Sequence, residues 1–122
     1  MSNLKYLEYG NLVGEEYSLN PKIMNNLGIN EAIIISGIIS QIYQNELAKE
    51  NYFEGKYWIK KTYKKLQEEI FPFFSIQTIK RAFDKLESIG ILLRKYNKEN
   101  KFDRNPYVTL DFDKLNKVVF ND

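Results

Sequence analysis

A single proline, Pro72, divides two stretches that each repeat apolar residues at helical spacing: Tyr63, Leu66 and Ile70 before it, Ile76, Ile79, Phe83 and Leu86 after it. Proline has no N–H to donate and biases the residue before it away from the helical region, so the two stretches cannot form one continuous helix. The first must end near Ile70 or Phe71. Thr62 and Ser75 stand where a side-chain oxygen caps a first turn, and Gly90 stands where a left-handed residue ends a last one. Two short helices joined by a tight Phe-Pro turn are therefore expected.

The flanks extend this unit. Asn30 offers an N-cap and Glu31 suits a first turn, and the apolar positions 32, 33, 34, 35, 38, 39, 42, 43 and 47 cover more than one helix face, which predicts a helix buried on several sides. Asn51 to Gly55 reads as a turn and Tyr57-Trp58-Ile59 as a short β-prone segment. After Gly90, Ile91 to Tyr96 and Tyr107 to Phe112 are strand-like runs joined by a charged, hairpin-type loop from Asn97 to Pro106, and Asp113 can cap a last helix, Lys114 to Val119. Residues 1–28, punctuated by Gly10, Gly14, Pro21 and Gly28, are expected to form an N-terminal arm, with one domain over 29–122. This order predicts an α+β fold: a winged helix-turn-helix with a three-helix core, a two-stranded wing, the arm and a short C-terminal helix. At 122 residues and 43% apolar content the chain suits one small core. The N-terminus lacks the pattern of a secretory signal, and Ile29 to Tyr43 is too short and too interrupted to span a bilayer, so a cytoplasmic protein is expected.

The chain has no cysteine and no histidine, which excludes Cys/His zinc sites, thiol nucleophiles, histidine bases and disulfides. Its six glycines form neither a dinucleotide fingerprint nor a phosphate loop. Asp111 and Asp113, with Asp103, are the one carboxylate set to weigh as a magnesium site, against a helix cap at Asp113 and a solvated Asp111. The cap is the better reading, and a non-catalytic protein without metal or cofactor is expected.

The net charge of +2 conceals a strong asymmetry: residues 1–55 carry −4, residues 56–104 carry +7 and residues 105–122 carry −1. A basic centre between acidic flanks draws a polyanion to one part of the surface. On the third helix Gln77, Thr78 and Arg81 are candidate base readers, since Gln matches adenine, Arg matches guanine and Thr can meet a thymine methyl. Candidate contacts to the DNA backbone are Lys60, Lys61, Lys64 and Lys65 around the second helix, with Ser75, Lys80 and Lys85. In the wing, Lys95, Lys98, Lys101 and Arg104, preceded by Arg94, suit a narrow minor groove, with Asp103 placed to neutralise Arg104. A solvated helix face and a hairpin tip charged against aggregation are the plainer readings of the same residues. Trp58, Phe71, Phe73, Phe74, Phe83 and Phe102 are expected to serve core or turn packing rather than base stacking.

The runs Leu27-Gly28-Ile29-Asn30-Glu31-Ala32-Ile33-Ile34, Tyr57-Trp58-Ile59, Phe71-Pro72-Phe73-Phe74-Ser75-Ile76-Gln77-Thr78-Ile79-Lys80-Arg81 and Leu86-Glu87-Ser88-Ile89-Gly90-Ile91-Leu92 resemble the winged-helix domain of phage and plasmid replication proteins of Gram-positive bacteria, over roughly residues 18–115. The resemblance implies a replisome organiser, an initiator or a helix-turn-helix regulator that binds duplex DNA. Organisers of this group usually carry a further domain, and the sequence ends at Asp122, so the expectation is a DNA-binding domain acting alone or within a separately encoded machine rather than a helicase loader. The partner expected is double-stranded DNA in replication or maintenance of a mobile element, with other replication proteins as further candidates. A transcriptional or partition regulator, and a winged-helix interaction module that does not bind DNA, are the alternatives. One such domain reads few base pairs, so a homodimer is expected, formed through the arm and the first helix.

Overall fold

The computed structural model describes residues 20–97, 99 and 102–119. Within them the chain is α+β, with α1 Pro21–Leu27, α2 Ile29–Ala48, β1 Tyr52–Phe53, β2 Lys56–Tyr57, α3 Tyr63–Glu69, α4 Ile76–Ile89, β3 Leu92–Lys95, β4 Tyr107–Leu110 and α5 Phe112–Val119. No helix among the described residues is long and apolar enough to cross a membrane.

Asn20 caps α1, its Oδ1 accepting from the Lys22 and Ile23 N–H groups at 2.9 and 3.4 Å, and Pro21 occupies the first turn, where its missing N–H is not needed. Residues 21–27 fell within the expected arm, yet Ile23 and Leu27, one helical turn apart, are buried in the common core. Most of the arm, residues 1–19, lies outside the described residues. Gly28 both ends α1, its N–H donating to Met24 O at 2.9 Å, and begins α2, its carbonyl accepting from Ala32 N–H at 3.0 Å. Its φ of 113° is open to glycine and strained for other residues, which corrects the expected cap at Asn30: the helix starts earlier and Asn30 lies inside it.

Helix α2 is buried on several sides, with Ile34, Ile35 and Ile38 inaccessible, but its last turn passes beyond the core and leaves Leu47 exposed. Gly37 faces the turn after α3 so closely that a Cβ there would lie 2.4 Å from Phe71 Cε1 and 2.9 Å from Ile70 Cγ2. The absence of a side chain thus lets the turn seat on α2. Thr62 Oγ1 caps α3 by accepting from Lys65 N–H at 3.1 Å, and the helix closes at Ile70, two residues before Pro72, as the proline required. Phe71 and Phe74 N–H donate to Leu66 O and Phe71 O, and the Gln67 amide donates to Phe74 O at 3.0 Å, so the turn is fixed from both sides. Ser75 Oγ caps α4 by accepting from Thr78 N–H at 3.1 Å, and α4 buries Ile79, Ala82, Phe83 and Leu86. Gly90, with φ 96°, ends it and turns the chain into β3.

Strands β3 and β4 pair antiparallel from Leu92 opposite Leu110 to Lys95 opposite Tyr107. Ile59 adds a bridge to Val108 through two hydrogen bonds of 2.8 Å, so the β-prone Tyr57-Trp58-Ile59 segment supports this sheet from its β4 side. The stretch expected as a simple turn at 51–55 is a small hairpin, β1 with β2, closed at Glu54 and Gly55, both with positive φ. Phe53 stacks on the buried Trp58, whose indole N–H donates to Phe53 O at 3.0 Å. A second cap also differs from expectation. Asp111, not Asp113, caps α5, its Oδ1 accepting from Lys114 N–H at 3.0 Å; β4 ends at Leu110, and Asp111 N–H still reaches Ile91 O at 2.8 Å, so the helix begins directly where the sheet stops. The helix–turn–helix order followed by a two-stranded antiparallel sheet is compatible with a winged-helix-like layout.

Candidate nucleic-acid interface

Because α4 buries Ile79, Phe83 and Leu86, the 100° step per residue turns Gln77, Arg81, Asp84 and Ser88 outward, and all four are exposed. Gln77 and Arg81 have no polar partner among the described residues. Thr78 is placed differently: it is half-buried and its hydroxyl lies 2.9 Å from Ser75 Oγ, so the two hydroxyls expected to face a ligand also face each other at the helix start. Lys80 leans along one flank, its Nζ 5.4 Å from the Tyr63 ring centre, which places it toward α3. Lys85 lies on the other flank. Its ammonium donates to Leu27 O at 2.7 Å and stands 3.8 Å from Glu31, tying α4 to the junction of α1 and α2.

The lysines around α3 are brought together but are not idle. Lys61 bonds to Glu69 at 2.7 Å, Lys65 stands 3.9 Å from the same carboxylate, and Lys64 stands 4.0 Å from Glu68. The hydrogen bond from Lys61, and then its charge, hold the Glu69 carboxyl below the usual carboxylate range. These pairs are open to water, where such contacts are weak and can exchange for another anion. Lys60 is held more closely, donating to Asp103 at 2.6 Å and to Asn105 O at 2.7 Å with its Nζ 4.7 Å from the Tyr107 ring centre. It clamps the base of the wing.

That clamp also corrects the expected neutralisation of Arg104. Asp103 is taken by Lys60, which together with the Asn105 N–H holds its carboxyl below the usual range, and Arg104 is exposed without a partner among the described residues. Lys95 is paired with Glu54 of the β1–β2 hairpin. Lys98 and Lys101 lie outside the described residues. Phe102, expected to serve packing, is 94% exposed, because it lies beyond the last paired residues of β3 and β4 and outside the core; Phe73 in the turn is exposed as well.

One residue grouped with the wing cations in the sequence is turned toward the helix instead. Arg94, only 13% exposed, donates to Asp84 at 2.9 Å, approaches Glu87 at 3.4 Å and covers the Phe83 ring, and so joins β3 to α4. Tyr63 and Tyr96 line one cleft together with Arg94. Alternation along β3 places Arg94 opposite Val108, a partner toward the core, and that was the available signal. The cations left without an acidic partner on the α3–α4–wing side are Lys80, Arg81 and Arg104, among the described residues. Comparison of the chain with protein-family models, with curated proteins and with solved structures returned no match.

Proposed function

We propose that this chain is a winged helix-turn-helix protein that binds double-stranded DNA and catalyses no reaction. The observation that carries the reading is the outer face of α4: a helix capped by Ser75 and presenting Gln77 and Arg81 without polar partners among the described residues. A side chain that reads a base edge must be ordered at its root and unsatisfied at its tip, and these two meet both conditions. Lys80 and Arg104 on the same side supply charge for the adjoining phosphates, and the exchangeable lysines of α3 add to it.

The motif resemblance directs the setting to replication or maintenance of a phage, plasmid or other mobile element in the cytoplasm, with a transcriptional or partition regulator as the same chemistry in another context. Since one α4 spans few base pairs, the acting species is a homodimer that doubles them. Fluorescence anisotropy of the full chain on duplexes selected from a random pool tests the reading. Saturable binding that selects particular sequences and weakens steeply with salt is expected. A protein that binds neither selected nor random duplex at low salt would be an interaction module instead.

A further inference from the structure

Between α3, the Phe83 flank of α4 and the wing lies an open cleft of about 100 Å³. Its polar lining consists of Lys61, Tyr63, Arg94, Tyr96, Arg104 and Asn105, over an apolar floor that includes Leu66, Phe83 and Val108. Three of these residues are cations and two are phenols; Lys61 and Arg94 also meet carboxylates, Glu69 at 2.7 Å and Asp84 at 2.9 Å, but no carboxylate is among the described residues that line the cleft. On the measure by which one water needs roughly 10–15 Å³, the space holds several waters. A small tetrahedral oxyanion fits in that space.

The donors are arranged for such a group. The Tyr63 and Tyr96 phenols line the cleft beside Arg94, and a neutral phenol can donate its O–H to an oxyanion. Burial pushes the Tyr63 hydroxyl above the ordinary tyrosine value, so it remains a neutral donor at physiological pH. Arg104 is an exposed guanidinium without an acidic partner among the described residues, and Lys61, whose ammonium also bonds to Glu69 at 2.7 Å, lines the same cleft.

We infer that this cleft is a seat for one phosphate group, held by Lys61, Arg104 and the hydroxyls of Tyr63 and Tyr96. The inference rests on the DNA reading for its source: a helix in the major groove and a wing in the next minor groove are separated by one sugar–phosphate strand, and the cleft lies between the helix-turn-helix and the wing, lined by α3 and by Phe83 of α4 on one side. The same chemistry would take a free phosphate, so the test has two arms.

In the first arm, inorganic phosphate is titrated at constant ionic strength while NMR follows the Arg104 side-chain N–H and the Tyr63 and Tyr96 rings. Saturable shifts are expected in the wild type and not in Arg104→Gln, a change at an exposed position that leaves the core untouched. In the second arm, selected duplexes carry single neutral methylphosphonates. One position per half-site should cost the wild type roughly tenfold or more in affinity, the weight of a charged hydrogen bond, and cost Arg104→Gln nothing further. Either the saturable shift or this non-additivity supports the seat, and the absence of both overturns it. Phosphate shifts without duplex binding would keep the seat and remove the DNA reading. Duplex binding with additive losses everywhere and no phosphate shift would remove the seat and keep the DNA reading.

Discussion

Replacing Gly37 by alanine sets two physical effects against each other, and the structure decides the sign. Alanine in a helix interior is favoured over glycine by about 1 kcal/mol, so helix propensity alone predicts a more stable protein. The new Cβ, however, would sit 2.4 and 2.5 Å from two carbons of the Phe71 ring, with Ile70 Cγ2 at 2.9 Å. Carbon pairs rest at about 3.5–4.0 Å, so the ring must retreat by roughly 1 Å or more. It has nowhere to go: Phe71 is fully buried, and its backbone is bonded to Leu66 and Phe74. Forced overpacking costs about 1–3 kcal/mol, and a pinned aromatic belongs at the upper end. After the propensity gain, a net loss of about 2 kcal/mol is expected, a fall in Tm of roughly 8 °C for a domain of this size. Thermal unfolding followed by far-UV circular dichroism measures it, and Phe71→Leu in the same background should recover part of the loss by making room. A Tm equal to or above that of the wild type would refute the reasoning.

Four further outcomes can be checked. Gln77→Ala and Arg81→Ala should each relax preference at particular base pairs by about 1–3 kcal/mol, whereas Lys64→Ala should weaken all duplexes alike; equal losses across sequences from all three would mean that α4 does not read bases. If about six phosphates are contacted, the logarithm of affinity should fall against the logarithm of salt with a slope near −5, and a flat response would oppose the electrostatic reading. The Asp103 carboxyl has a lowered folded pKa, so its contribution is present above the unfolded value and lost as pH falls through the lower folded one; the Asn105 amide resonance should titrate below the ordinary aspartate range, and a midpoint at or above that range would count against the Lys60 clamp. Deleting residues 1–17 should weaken self-association measured by light scattering, while a wild type that is monomeric at high concentration, both alone and on DNA, would rule out the dimer.

What was legible in the sequence was local. Pro72, Thr62, Ser75 and Gly90 each act on backbone groups within four residues, and α3, its end, α4 and the turn into β3 lie where those residues imply. The two misplaced caps were also local, but they turned on competition between neighbours. Gly28 prevailed over Asn30 through a backbone angle that side-chain chemistry does not reveal, and Asp111 over Asp113 through the residue at which β4 stopped pairing. The roles of the basic residues were hardest to read. Lys60 meets Asp103 across 43 positions and Lys95 meets Glu54 across 41, so a lysine that looked available in the chain is occupied in the fold. Arg94 was misread for the same reason: grouped with the wing cations in the chain, it joins the wing to Asp84 and Glu87 of α4 once β3 is folded back.

The acid partners of the α3 lysines bear on how such a protein would search a genome. Phosphate contacts shed condensed cations from DNA, and that entropy sets the salt slope whatever the protein surface looks like. Here each contact through Lys61, Lys64 or Lys65 must also part a lysine from Glu68 or Glu69, carboxylates that cannot diffuse away and that remain beside the incoming phosphate. The salt slope is kept while affinity for arbitrary sequence drops. On random DNA the protein would dwell briefly, and a larger fraction of the gap between target and background would fall to Gln77 and Arg81, whose tips have no polar partner to give up among the described residues.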